Sequence, residues 1–196
     1  VLNNISFTVQ KGDKIAFVGS DNIAKTTLFK ILMGEEKKDS GEIIFGKTVI
    51  PSYFPQDNSK YFTKDQTIME WIGNYYNIDD ETLLRGFLGR MLFSGEDVFK
   101  KVPVLSGGEK ARCMLSKIML ESPNFLILDE PTNHLDLESI TSLNNGLIKF
   151  TGEMLFTSKD HQFTETIANR VIEITDSGII DRKMTYDQYL ESKKRK

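Results

Sequence analysis

Apolar positions along this chain change period several times. Ile5, Phe7 and Val9 alternate with polar neighbours, as a half-buried strand does, and Lys14-Ile15-Ala16-Phe17-Val18 is a short apolar run that ends at Gly19. A helix is expected over 26–33. Short strands follow over 42–45 and 49–54, reached through Ser40-Gly41 and Gly46. Leu83, Leu84, Phe87, Leu88, Met91 and Leu92 then recur at helical spacing after Asp79-Asp80, which can cap a helix start. This marks 65–104 as a helical insert. A further helix over 107–120 carries Ala111, Met114, Leu115, Ile118 and Met119 on one side, and Ser122-Pro123-Asn124 stops it. The remainder reads as a strand over 125–128, a helix from Leu137, a strand over 154–157, a helix over 160–168 and strands over 171–174 and 179–180. Strands and helices taking turns predict an α/β fold with a mostly parallel sheet covered on both faces.

The 196 residues suffice for one core with a small subdomain. A net charge of −3 argues against a surface built mainly as a phosphate-backbone clamp, and Lys193-Lys194-Arg195-Lys196 reads as a solvated end. Cys113, the single cysteine, excludes an internal disulfide and falls inside a predicted helix, which fits a reducing cytosol. No run reaches the roughly 18 to 20 apolar residues that span a bilayer, so no membrane insertion is expected. The chain opens in mid-pattern without Met, which predicts a domain of a longer polypeptide.

Gly19-Ser20-Asp21-Asn22-Ile23-Ala24-Lys25-Thr26-Thr27 has the spacing of a phosphate loop, whose backbone N–H groups cradle phosphate oxygens at a helix start. In that arrangement Lys25 reaches the β- and γ-phosphates and the Thr26 hydroxyl sits on Mg²⁺. Two positions depart from the usual pattern. Ala24 stands where glycine is usual, at a cost of about 1 kcal/mol if the backbone there has positive φ. Asp21 puts a carboxylate near phosphates, which weakens binding electrostatically. Alone, such a loop could also be an ordinary strand-to-helix turn. Asp129 and Glu130 emerge together at the carboxyl end of a buried strand, where ligands sit in open α/β sheets. Ser106-Gly107-Gly108 offers a hydroxyl and unobstructed N–H groups at a helix start, either as a cap or as an anion site.

Leu105-Ser106-Gly107-Gly108-Glu109, followed by the run from Phe125 to Asp136 that ends Leu128-Asp129-Glu130-Pro131-Thr132-Asn133-His134-Leu135-Asp136, resembles the signature loop, Walker B strand and D-loop of ATP-binding-cassette (ABC) proteins. The Pro-Thr-Asn-His-Leu-Asp wording resembles the ABC-F branch, which has no membrane domain. The resemblance implies a P-loop NTPase fold, an ABC ATPase domain with an antiparallel β edge and a small helical subdomain. It implies a core lobe from 1–56 and 105–196, and a helical subdomain over 57–104, within one nucleotide-binding domain. ATP and Mg²⁺ are the implied cofactors. Gly19, Ser20, Asp21, Asn22, Ile23, Ala24, Lys25, Thr26, Thr27 and Gln56 would bind nucleotide, with Thr26, Gln56 and Asp129 on the metal. Glu130 would polarise the attacking water.

In the family the signature loop contacts the nucleotide held by another domain. Ser106, Gly107, Gly108 and Glu109 would therefore serve a second cassette, tandem or in a homodimer, with Asn133, His134, Leu135 and Asp136 as the D-loop at the interface. Leu88 to Gly95 and Leu137-Glu138-Ser139-Ile140 match the family's second cassette best. The family normally reads Ser-His-Asp-Arg-x-Phe where this chain has Ser158-Lys159-Asp160-His161-Gln162-Phe163, so Lys159 occupies the switch position. Its ammonium either lies on the surface or meets the γ-phosphate as a point charge, and His161 is expected in a first helical turn. The implied function is an ATP-hydrolysing ABC-F cassette acting on the ribosome, in translation or antibiotic resistance. The alternatives are the ATP-binding domain of a membrane transporter and a half-site that hydrolyses little or nothing.

Overall fold

The computed structural model describes residues 2–195. Its centre is a six-stranded sheet made of β1 (Lys14–Val18), β2 (Pro51–Phe54), β3 (Phe125–Asp129), β4 (Glu153–Thr157), β5 (Arg170–Thr175) and β6 (Gly178–Arg182). The strand order is β2-β3-β4-β1-β5-β6, with every neighbouring pair parallel except the antiparallel β5 and β6. The expected architecture, a mostly parallel core with an antiparallel edge, is the one found.

Alternation within the strands decides which helix each side chain meets. Ile15, Phe17, Ile127, Leu155 and Ile172 pack into one cluster with Ala24, Leu28 and Phe29 of α1 (Asn22–Leu32), and the Phe17 and Phe29 rings meet edge to face at 5.5 Å. Phe156, one residue after Leu155, points the other way and meets Phe163 of α6 (His161–Ile167) at 5.8 Å. Helices therefore cover both faces, which explains why β3 is buried along its whole length.

Three sequence expectations need correction. Ile5, Phe7 and Val9 pack against the core, with Phe7 edge-on to Phe17 at 5.5 Å, but residues 5–9 form no strand. Residues 42–45 likewise have no ladder, and the strand expected over 49–54 is confined to Pro51–Phe54. The alternation reports which side chains are buried; pairing requires a neighbouring backbone as well. Lys193, Lys194 and Arg195 are exposed, as a solvated end requires, and Lys196 lies outside the described residues. Residues Tyr186–Lys194 form helix α7, whose capping box pairs Thr185 with Gln188.

The chain groups into two compact units. One comprises the residues up to Gln56, Pro123–Pro131 and the chain from Leu147 onward; the other comprises Asp57–Ser122 and Thr132–Gly146. In the second unit, α2 (Ile68–Tyr76) and α3 (Glu81–Arg90) pack with α4 (Gly107–Glu121). Trp71 is fully buried there, stacks on Phe62 at 4.9 Å and donates Nε1–H to the Tyr61 carbonyl at 2.7 Å. Tyr76 donates to the carboxylate of Glu121, which also pairs with Lys117. These bonds tie α2 to the end of α4 within that unit. No helix among the described residues is long and apolar enough to cross a membrane.

Arg170 closes the antiparallel edge. Its guanidinium forks onto Asp181 of β6, bonds Asp13 ahead of β1 and donates to the Thr8 carbonyl at 2.9 Å. Those bonds to Arg170 hold the Asp181 carboxyl below its ordinary value of 3.8, against a smaller opposing effect of burial. A carboxyl with a lowered folded-state pKa stabilises above its ordinary value and loses that contribution as pH falls through the folded value. Arg170→Met is expected to lower stability by about 3 kcal/mol in urea unfolding at neutral pH, because two carboxylates lose their buried partner. The deficit of Asp181→Asn should shrink as pH falls below 3.8 and through the lower folded-state value, read from unfolding curves across pH.

Candidate functional site

The carboxyl ends of β1, β2, β3 and β4 point the same way, so the loops that follow them gather at one end of the sheet. All residues described first belong to the sheet-containing unit. Gly19 leaves β1 with φ of 139°, and a Cβ there would lie 2.6 Å from the Ile174 carbonyl oxygen, so no side chain fits. Ser20, Asp21, Asn22 and Ile23 are exposed around the turn, while Ala24 and Lys25 are buried. Thr26 and Thr27 are half-buried in the next turn of α1.

The two departures from the usual loop pattern receive a local explanation. Asp21 is the N-cap of α1 and its Oδ1 accepts the Ala24 N–H at 3.0 Å. Ala24 lies within the helix and is absent from the positive-φ positions, so the backbone penalty considered for its methyl group does not arise. Its Cβ instead joins the core beneath the loop.

Lys25 reaches back to donate Nζ–H to the Gly19 carbonyl at 3.0 Å. Burial lowers its pKa, opposed chiefly by the charges of Glu130 and Asp129. The Thr26 hydroxyl stands 2.7 Å from Asp129 Oδ2 and 3.3 Å from Gln56 Oε1. Its single hydrogen can serve only one of them at a time. Three oxygens thus converge with one proton among them, a donor set that suits a hard cation such as Mg²⁺.

Asp129 is 1% exposed and burial raises its pKa, countered first by the hydrogen bonds from Thr26 and Thr157. Glu130 follows with φ of 51°, a left-handed conformation that costs a non-glycine residue on the order of 1 kcal/mol. Its Oε2 is buried without a hydrogen-bond partner. Burial raises its pKa too, with the Lys159 charge the largest opposing influence. An orphaned carboxylate oxygen beside three converging oxygens leaves unused acceptor capacity where a metal and a water would sit. Lys159 itself is exposed at the end of β4, and His161 opens α6 on the surface, paired with Asp187 at 2.7 Å.

Thr157 was not among the residues singled out from sequence. It is 1% exposed, bonds both Asp129 and the Glu130 backbone, and ends a strand where a β-branched residue attracts no notice.

The signature and D-loop residues lie together in the helical unit. Ser106 caps α4 in a reciprocal capping box: its Oγ accepts the Glu109 N–H at 3.3 Å, and Glu109 Oε2 accepts the Ser106 N–H at 2.9 Å. Lys100 bonds the other Glu109 oxygen at 2.9 Å. Gly107 and Gly108 are packed under His134, where a Cβ would approach to 3.2 Å and 2.7 Å respectively. Gly108 is therefore required by close packing against the His134 backbone, and Gly107 fits tightly under the His134 side chain, whatever they bind. His134 has φ of 67°, Asn133 and Leu135 are half-buried beside it, and Asp136 accepts the Ser139 N–H at 2.8 Å to start α5 (Leu137–Lys149). An open depression of about 360 Å³ lies between Ser106, Arg112, His134 and Asp136.

A phosphate loop and two buried carboxylates gathered at one end of a mostly parallel sheet mark the fold of a nucleotide-binding cassette. The family profile described as ABC transporter matches residues 2–133, and the chain belongs to that family. It is 62% identical over 194 residues to the uncharacterized ABC transporter ATP-binding protein YkpA of Bacillus subtilis (strain 168), covering 98% of this chain and 36% of that protein. Similarity extends to ABC transporter F family member 2 of Arabidopsis thaliana, 37% identical across 97% of this chain and 28% of the relative. The energy-dependent translational throttle protein EttA of Escherichia coli (strain K12) is 35% identical across 100% of this chain and 36% of its own length. The chain thus spans about a third of these relatives. Among solved structures, that of the complex of the archaeal ribosomal stalk protein aP1 with the ribosome recycling factor aABCE1 superimposes with a TM-score of 0.72 at 22% identity. The match covers 94% of this chain and 37% of that one, and it supports the fold.

Asp21→Asn keeps a capping side chain and removes one negative charge beside the loop. It is expected to tighten ATP binding by about 3- to 10-fold in calorimetry, a change that follows from relieving a screened repulsion of about 1 kcal/mol. Thermal stability should be unchanged. Equal affinity would show that the carboxylate does not face the phosphates.

Proposed function

We propose that this chain is one nucleotide-binding domain of an ABC-F protein, the second of its two cassettes, and that it binds and hydrolyses Mg²⁺·ATP. The convergence of Thr26, Gln56 and Asp129 oxygens beside the unpartnered Glu130 carboxylate carries this reading. In it the loop N–H groups and Lys25 bind the phosphates, with Ser20, Asn22, Ile23 and Thr27 shaping the loop. Thr26, Gln56 and Asp129 hold the metal, whose charge offsets that of the phosphates during transfer. Glu130 orients the attacking water and accepts its proton; burial raises the basicity of that carboxylate. Lys159 meets the γ-phosphate as a point charge in place of the family's histidine.

Ser106, Gly107, Gly108 and Glu109 face the nucleotide of a second cassette, and Asn133, His134, Leu135 and Asp136 line the same boundary. That partner is a tandem cassette of the full-length protein or a second copy. ATP-driven closing and opening of the pair acts on the ribosome, a reading supported by the ABC-F wording of Pro131 to Asp136 and by the similarity to EttA. Lys159 favours a second reading, a half-site that binds nucleotide and turns it over slowly, because an ammonium only donates hydrogen bonds whereas a neutral imidazole can also accept one.

Glu130→Gln is expected to lower ATP turnover of the full-length protein by about 100-fold or more while ATP binding persists. Unchanged turnover would remove Glu130 from this role. Lys159→His is expected to raise turnover, measured as phosphate release. Equal rates would show that the switch position does not limit the reaction.

A further inference from the structure

Thr157 joins the two carboxylate-bearing residues through one hydroxyl. The parallel register sets Asp129 opposite Thr157 across β3 and β4. Thr157 Oγ1 accepts the Glu130 N–H at 2.9 Å, and the Thr157 carbonyl accepts the same N–H at 3.2 Å. A backbone N–H can only donate, so the hydroxyl hydrogen must point elsewhere, and it goes to Asp129 Oδ1 at 2.8 Å. The polarity of the chain is fixed by that single amide.

Two consequences follow at the site. Asp129 Oδ1 is occupied by Thr157, so Oδ2 is the oxygen left to face Thr26, 2.7 Å away. Glu130 is held at φ of 51° by the bond to its own N–H, which aims its side chain into the place where Oε2 is buried unpartnered. We propose that Thr157 is a positioning residue that presents Asp129 Oδ2 to the metal and locks Glu130 in its left-handed conformation. The inference rests on the proposed Mg²⁺·ATP reading. Valine would keep the shape of Thr157 but leave a buried carboxylate oxygen without its donor; serine keeps the hydroxyl.

The test compares ATP binding by the full-length protein with Mg²⁺ and with EDTA, for the parent, Thr157→Val, Thr157→Ala and Thr157→Ser. Thr157→Val is expected to lose about 10-fold in the affinity gained on adding Mg²⁺, the loss of one charge-assisted hydrogen bond, while its EDTA affinity stays within 2-fold. Thr157→Ser is expected to restore the gain to within about 3-fold. Should the valine variant fail to fold by circular dichroism, the alanine variant is read by the same criteria. A full Mg²⁺ gain without the hydroxyl would overturn the proposal and leave the ATP reading intact. Equal losses with and without Mg²⁺ would overturn it in favour of a purely structural role. A parent that binds no Mg²⁺·ATP would overturn the ATP reading itself.

Discussion

The parallel pairing of β3 with its neighbours is the constraint on which the rest depends. Because β2, β3, β4 and β1 run in one direction, each delivers its following residue to the same end of the sheet. Gln56, Asp129 and Thr157 are far apart in sequence yet joined through the Thr26 and Thr157 hydroxyls for that reason. A slip of one residue between β3 and β4 would exchange the faces of every buried side chain on the slipped strand. It would also move Asp129 away from Thr157. The apolar register and the polar site are therefore set by one ladder, and Phe156 on one face and Leu155 on the other fix it from both sides.

Much of this was legible in the chain. Apolar periodicity placed β1, β3, β4, β5 and the helices that begin at Glu81, Gly107 and Leu137, because those segments are buried along one stripe or on both faces, whereas the helix expected over 26–33 begins earlier, at Asn22. The places where it failed share a cause. Alternation at Ile5, Phe7 and Val9 reports which side chains are buried, and they are partly buried, yet a ladder also needs a partner backbone that the pattern does not encode. The helix from Tyr186 was overlooked because its composition is polar, although Thr185 and Gln188 spell its capping box.

The site was legible to the same extent. Residue types with few structural uses at their spacing, such as the Lys25-Thr26 pair and the Asp129-Glu130 pair, stood out. Thr157 did not, since threonine is an ordinary strand residue and only the register reveals what its hydroxyl meets. Ala24 shows the opposite error: a preference for glycine at a motif position does not mean that the backbone there is left-handed, and α1 accepts the methyl group as part of its buried side. Gly107 and Gly108 carry a further lesson, because His134 crowds them from within the same unit. Their small size has a packing origin independent of any ligand.

The backbone of Glu130 sets folding against chemistry at one position. Its left-handed conformation is one that glycine adopts freely and asparagine tolerates well. The substitutions that would relax the fold most are therefore the ones that remove the carboxylate. A carboxylate at this position therefore carries a backbone cost that the relaxing substitutions would remove together with the side chain itself.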